Sequence, residues 1–431
     1  MSMQHKDRPN IVFILADDLG SWALGCAGNT EIRTPNIDSL ATDGMLFNNF
    51  FCTSPVCSPS RASILTGRMP SAHGVHDWIR SGNVEKKALD EDMISDTRFD
   101  DEDYSIEYLK GQPTYTEILA QNGYVCGLSG KWHLGNSIRP QKGFSHWYTI
   151  GRGGCPYYRP DIVKDGKITI EEEYITDLIT EDALGFIDKQ KGGEKPFYLS
   201  IHYTAPHSPW GREHHPAHIY DSYDECEFKS VPDVPTHPWQ TAQLYPKSSK
   251  ERRSILKGYY AAVTAMDIGI GEILRKLDEL DLRENTLVIF MGDNGMNMGH
   301  HGIWGKGNAT TPLNMYDTSI KVPAIVSRPG HVPQGVTRDD LLSQYDVLPT
   351  LLDYTGYEYS DLDYLAGSSF EPLLRNGKLA KREHVVVFDE YGPVRMIRSD
   401  QFKYVHRYPY GPNEFYDLVN DPNEDVNLID D

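Results

Sequence analysis

The densest concentration of chemistry in this sequence is the run Cys57-Ser58-Pro59-Ser60-Arg61. Ser58 is a residue type that caps helices, Pro59 suits a first helical position, and Gly67 suits a left-handed end. That reading puts Cys57 at a helix N-terminus, where free N–H groups and the helix dipole favour an anion. Arg61, one turn further on, would face the same point. Taken alone, the motif is equally compatible with a buried cysteine ahead of an ordinary helix.

A second group consists of Asp17 and Asp18 with Asp293 and Asn294. Three carboxylates and an amide oxygen make a hard oxygen cage that suits Ca²⁺ or Mg²⁺ rather than zinc. Zinc is further disfavoured because Cys52 and Cys57 have no Cys or His companion at finger spacing. A third group is cationic: Lys131 and His133 lie in Gly130-Lys131-Trp132-His133-Leu134-Gly135, and Lys306 lies between Gly305 and Gly307. Lys131, Lys306 and Arg61 together would clamp a tetrahedral oxyanion. His133 and His207 are suited to exchange protons near neutral pH. His202 is expected either to touch substrate or to pack. His300, His301 and Trp304 are expected to line the pocket beside Lys306, where the glycines permit close approach.

These residues fall at the ends of recurring apolar runs. Asn10–Ala16 ends in Asp17, residues 286–291 lead to Asp293, and residues 197–201 lead to His202 and then His207. Each run has the length and continuity of a buried strand. Between them, residues 36–42, 115–121, 175–189 and 251–280 show helical periodicity. The fold class expected is α/β: a large mixed, mostly parallel sheet sandwiched by helices, with sites gathered at the carboxyl ends of strands. Short strands beyond residue 382 predict a small C-terminal antiparallel sheet, dividing the chain into a catalytic unit, 1–380, and a subdomain, 381–431. Residues 80–110 and 206–250 break the pattern and read as long surface excursions.

Composition bounds the rest. A net charge of -20 over 431 residues argues against nucleic-acid binding, so cations that meet an anionic substrate must be local. No apolar run approaches the roughly 18 residues of a membrane span. Six cysteines are too few for a disulfide scaffold, so most of them are expected to be reduced. The polar N-terminus lacks the apolar core of a signal peptide, so the expectation is a cytoplasmic enzyme or a trimmed secreted one.

Taken in order, the motifs resemble the type I, formylglycine-dependent sulfatases of the alkaline phosphatase superfamily. The resemblance runs from Pro9-Asn10-Ile11-Val12 through Cys57 to Arg68, Gly130 to Gly135 and Gly292-Asp293-Asn294-Gly295 to Phe415-Tyr416-Asp417-Leu418. It implies that a maturation enzyme oxidises Cys57 to formylglycine, whose hydrated aldehyde is the nucleophile. It also implies that Asp17, Asp18, residue 57, Asp293 and Asn294 hold Ca²⁺, with Mg²⁺ the alternative. Arg61, Lys131 and Lys306 would stabilise sulfate oxygens, His207 and Lys306 would assist the leaving alcohol, and His133 would take a proton to release sulfate. His301 and Trp304 are the further candidates for substrate contact, with His202 a third if it does not merely pack.

The implied substrate is a sulfated sugar of mucin or glycosaminoglycan type, as a small molecule or oligosaccharide. A phosphate or phosphonate monoester hydrolase on the same fold is the alternative. Residues 310–317 depart from the Tyr-Glu-Gly-Gly that often follows this lysine in relatives, and relatives often continue with another helix after the region of Asn427-Leu428, so a truncated C-terminal subdomain is the expectation.

Overall fold

The computed structural model describes residues 8–89, 93, 96–359, 362 and 365–430. The polar segment ahead of Arg8, on which the localisation expectation rests, lies outside them, as do parts of the 80–110 excursion.

Ten strands form the main sheet. In chain order they are β1 (Asn10–Ala16), β2 (Met45–Phe47), β3 (Val125–Gly130), β4 (His146–Ile150), β5 (Asp161–Lys164), β6 (Lys167–Ile170), β7 (Phe197–His202), β8 (Thr286–Gly292), β9 (Ala324–Ser327) and β10 (Val336–Arg338). Across the sheet the order is β10-β2-β9-β8-β1-β7-β3-β4-β5-β6. The five central strands, β8 to β4, run parallel, and antiparallel pairings appear toward both margins. The sheet is thus mixed with a parallel heart.

β1 is buried along its whole length because both faces are covered. Ile11, Phe13 and Leu15 join one core, while Val12, Ile14 and Ala16 join the other. Each fully buried Val, Ile, Leu or Phe side chain among them contributes about 1.5–3 kcal/mol. The first core is closed by α2 (Cys57–Thr66), α3 (Tyr115–Gln121) and α6 (Val347–Thr355), the second by α1 (Pro35–Thr42), α4 (Ile175–Gln190) and α5 (Ser249–Glu279). The four helices expected from periodicity are therefore α1, α3, α4 and α5. No helix among the described residues is long and apolar enough to cross a membrane.

α2 differs from its expected capping. The helix begins at Cys57 itself after Val56, with no side-chain cap. Ser58 Oγ instead accepts the Ile79 N–H at 3.2 Å, spending its oxygen on the neighbouring loop. Every residue of α2 is buried, so packing rather than a cap holds this end. Gly67 closes the helix as expected, at φ 66° with its N–H on Ser63 O.

A separate antiparallel sheet follows: β11 (Val385–Asp389), β12 (Val394–Arg398), β13 (Phe402–Arg407) and β14 (Glu414–Asp417). Its inward residues Val385, Val387, Val394, Met396 and Val405 are continuous with the core around α2. Buried charges fasten it further: Lys403 Nζ meets Asp317 at 3.0 Å and also pairs with Glu424, and Arg398 meets Asp317 at 3.2 Å.

Candidate active site

Strand register assembles the site. Leu15 and Gly130 both sit opposite His202, and Ala16 sits opposite Gly292. Asp17, Lys131 and Asp293, each one residue further on, therefore leave the sheet at a single edge. Backbone bonds fix that edge: Asp293 N–H to Ala16 O and Asp17 N–H to Ala205 O, both 3.0 Å, and Lys131 N–H to His202 O at 2.8 Å. Gly130 is required here, since at φ 109° a Cβ would lie 2.0 Å from His202 O. α2 then delivers Cys57 over the same edge. One ligand-type atom from each of Asp17, Asp18, Cys57 and Asp293 lies within 4.8 Å of the others, all four residues buried.

Cations surround this cluster. Lys131 Nζ meets Asp17 Oδ2 at 2.6 Å, and Lys306 Nζ meets Asp18 Oδ1 at 2.6 Å and Cys57 Sγ at 2.7 Å. Arg61 lies underneath, fully buried, with Nε 3.0 Å from Asp293 Oδ2, a terminal nitrogen 2.9 Å from the same oxygen, and the other donating to Lys131 O at 3.0 Å. It orients the carboxylates from below and is absent from the cleft lining. Burial would raise Asp17 and Asp18, but the surrounding positive charges outweigh it: chiefly Lys131 holds Asp17 well below the usual carboxylate range, and chiefly Lys306 lowers Asp18. Burial and the neighbouring Asp17 push Asp293 up to about 7. Burial, then Asp17, raises the Cys57 thiol, so the unmodified side chain is no ready thiolate.

A divalent cation fits this donor set. Asp17, Asp18 and Asp293 bring three buried carboxylates and the residue 57 side chain to one point, a donor set of the hard-oxygen kind, with Lys131 and Lys306 at its margin. Asn294 donates through Nδ2 to Asp18 Oδ1 at 2.8 Å and to Gly295 O at 2.9 Å, leaving a buried Oδ1 with no hydrogen-bond partner. Such an orphaned acceptor costs free energy unless something satisfies it. Asp18 sits at φ 63°, a strained backbone for a non-glycine residue, and turns its carboxylate into the cluster. Ser60 donates to Asp293 O and Gln344 donates to the same carbonyl at 2.7 Å, which braces the turn from behind.

The two cleft histidines have defined tautomers, because a carbonyl can only accept. His133 must donate through Nε2 to Ile79 O at 3.0 Å, which leaves Nδ1 as a bare, buried acceptor. Burial, then Lys131, lowers its pKa well below the ordinary histidine range and keeps it neutral. His207 must donate through Nδ1 to Ser208 O at 2.8 Å, which leaves Nε2 facing Asp18 Oδ2 at 3.6 Å.

Above the cluster opens a cleft of about 420 Å³ lined by Cys57, Trp78, Ile79, Arg80, Lys131, His133, Arg152, Gly153, Gly154, His207, Lys306 and Asn308. The residues expected to contact substrate sit elsewhere. His202 is buried below it, its Nδ1 bonded to Lys131 O at 3.1 Å, and burial pushes its pKa down to about 3. His301 stacks on Tyr316 at 3.7 Å between ring centroids, and Trp304 is buried against Met298 and the second core. Aromatic Trp210 and Tyr220 of the 206–250 excursion are buried in the second core. The cleft instead takes Trp78, Arg80, Arg152 and Asn308, which the sequence reading did not single out. For Arg152 a signal existed: it follows β4, a parallel strand ending at the same edge as β3.

A buried carboxylate cluster under a lysine-lined cleft, at the carboxyl edge of a parallel sheet, defines a hydrolase for esters of a tetrahedral anion. The model of the family described as Sulfatase matches residues 9–357, and that described as N-sulphoglucosamine sulphohydrolase, C-terminal, matches residues 299–431. An ulvan-active sulfatase of Formosa agariphila is 31% identical over 98% of this chain and 77% of its own length. An N-acetylglucosamine-6-O-sulfatase of Bacteroides thetaiotaomicron is 28% identical over 99% of this chain and 83% of its own. A protein solved in complex with its substrate D-glucosamine-2-N,6-O-disulfate shares the fold, with a TM-score of 0.79 at 24% identity over 98% of this chain and 93% of that one. The chain belongs to the sulfatase family and is a sulfuric ester hydrolase.

Proposed function

We propose that the protein hydrolyses a sulfate ester on a carbohydrate, using residue 57 as formylglycine and Ca²⁺ held by Asp17, Asp18, Asp293 and Asn294. The observation that carries this reading is the buried convergence of three carboxylates and Cys57 beneath Lys131 and Lys306. The membership of the family supports the modified cysteine, and the buried thiol held protonated gives a chemical reason for it. A bound divalent cation would offset the carboxylate charge, polarise a sulfate oxygen and make the hydroxyl at residue 57 easier to deprotonate. The hydrated aldehyde supplies one hydroxyl to attack sulfur and a second whose deprotonation expels sulfate.

This chain's own residues do the remainder. Lys131 and Lys306 place ammonium groups at the cleft floor, where they bind sulfate oxygens and stabilise charge that grows on the leaving oxygen. His207 lines the cleft with Nδ1 tied to Ser208 O, so Nε2 is the atom positioned to exchange a proton with the departing alcohol. His133, already neutral with Nδ1 bare, accepts the proton whose removal frees sulfate. Arg61 keeps Asp293 and Asp17 in place.

The sugar part of the reading draws on the activities named for the relatives and on Trp78, which lines the cleft and is 49% exposed. Its indole offers a flat apolar face of the kind that stacks on a pyranose. Maturation requires a formylglycine-generating enzyme acting on Cys57. The test is the mass of the peptide carrying residue 57, followed by assay of defined sulfated sugars alongside an aryl sulfate and an aryl phosphate. Sulfate turnover that tracks the modified fraction is expected; preference for the phosphate would contradict the reading.

A further inference from the structure

The cleft lining contains more positive charge than the chemistry uses. Among the described residues that line it there are four cationic side chains, Arg80, Lys131, Arg152 and Lys306, and no carboxylate. In a chain with 62 acidic and 42 basic residues that bias is local and specific. Lys131 and Lys306 are committed to Asp17 and Asp18 at the floor. Arg80 and Arg152 touch neither carboxylate.

Arg80 is held by an exposed pair, and Arg152 by a longer contact to the buried Asp161. Arg80 meets Asp101 at 2.8 Å, but the two side chains are 72% and 58% exposed, and such surface pairs contribute little. Arg152 donates through one terminal nitrogen to a neutral acceptor, Arg98 O, at 2.7 Å. Its other terminal nitrogen is 3.6 Å from Asp161, a carboxylate shared with Arg98 at 3.7 Å. Arg152 Nε is buried with no hydrogen-bond partner, and the guanidinium stacks 4.9 Å from the Phe99 ring centre, which holds it rigid. A fixed guanidinium lining the cleft together with an exposed and exchangeable one is an anion receptor.

We infer that Arg80 and Arg152 form a second anion subsite, so that the preferred substrate is a glycan bearing another anionic group besides the sulfate that is removed. The inference rests on the sulfate-ester reading above and narrows it. The shared chemistry is a planar or tetrahedral oxyanion on the leaving-group sugar: a carboxylate on a neighbouring residue or a second sulfate. A cleft of about 420 Å³ has room for one such unit beyond the scissile group.

The test compares kcat/KM of the full-length enzyme, modified at residue 57, on three substrates. These are a singly sulfated sugar, the same sugar with a second sulfate, and the same monosulfate joined to a uronic acid. At low ionic strength one doubly charged substrate is expected to be preferred about tenfold or more, with the preference shrinking as salt is added. Which of the two wins identifies the anion. In Arg80→Gln and in Arg152→Gln the ratio should fall toward one, mainly through KM. Arg80→Gln keeps the test decisive if Arg152→Gln fails to fold, because the Arg80 side chain is exposed. A ratio near one in the unsubstituted enzyme, or a ratio unmoved by the substitutions, would overturn the inference while leaving the sulfatase reading intact. Absence of turnover on every sulfate, including an aryl sulfate, would instead remove the reading on which it stands.

Discussion

Replacing Lys306 by methionine removes one ammonium group while keeping most of the side-chain volume. Its Nζ lies 2.6 Å from Asp18 Oδ1 and 2.7 Å from Cys57 Sγ, with the side chain 12% exposed. At an effective dielectric of about 20, opposite unit charges at that separation attract by ~6 kcal/mol. Desolvating the lysine returns several kcal/mol of this, so the net ground-state loss is about 3 kcal/mol. In the reaction the same group faces charge growing on oxygen, and losing one such preorganised donor costs ~3–4 kcal/mol, or about 10²–10³ in rate. The fall should appear in kcat more than in KM, because the interaction strengthens as charge develops. Steady-state rates on an aryl sulfate, with residue 57 checked by mass and the fold by circular dichroism, measure it. A kcat within about threefold of the unsubstituted enzyme would refute the assignment of Lys306 to the reacting charge.

Three further outcomes are expected. Gly153→Ala would bring a Cβ to 2.1 Å from His133 Nε2 and displace the ring from Ile79 O; kcat should drop by ~10²-fold, with urea denaturation showing how little of that reflects stability. Glu424 is buried beside Asp317 and pushed up to about 7, so in the fold it is protonated at acid pH, and its contribution to stability declines as pH rises from its unfolded value toward 7. Glu424→Gln should therefore gain stability relative to the parent between pH 5 and pH 8, read from paired denaturation curves; a constant difference would contradict this. Chelation should lower both activity and thermal midpoint, since Asp17, Asp18 and Asp293 are then left to repel, and added Ca²⁺ should restore both.

The strand ends were legible because an apolar run that stops at charged residues can be read directly. Ile11 to Ala16 must be buried, so Asp17 has to emerge at its end, and the same holds for Asp293 after β8. Lys131 was equally readable, but the reading stopped one parallel strand short of Arg152 at the end of β4. Proximity in sequence misled at Lys306: Trp304 and His301 are near it in the chain, yet their rings are spent on the second core and on Tyr316. Ser58 looked like a cap because its residue type favours caps, but a fully buried α2 needed its oxygen for the Ile79 loop. Trp78 and Arg80 lie in a loop without periodicity, where only tertiary folding brings them to Cys57.

On the proposed function, residue 57 carries the nucleophile within a metal site built by Asp17, Asp18, Asp293 and Asn294. The most direct measurement is sulfate-ester hydrolysis by Cys57→Ala, with Ca²⁺ binding followed in the same sample. Complete loss of hydrolysis with Ca²⁺ still bound by the remaining oxygen donors is expected; hydrolysis at the parent rate would contradict a nucleophile at residue 57.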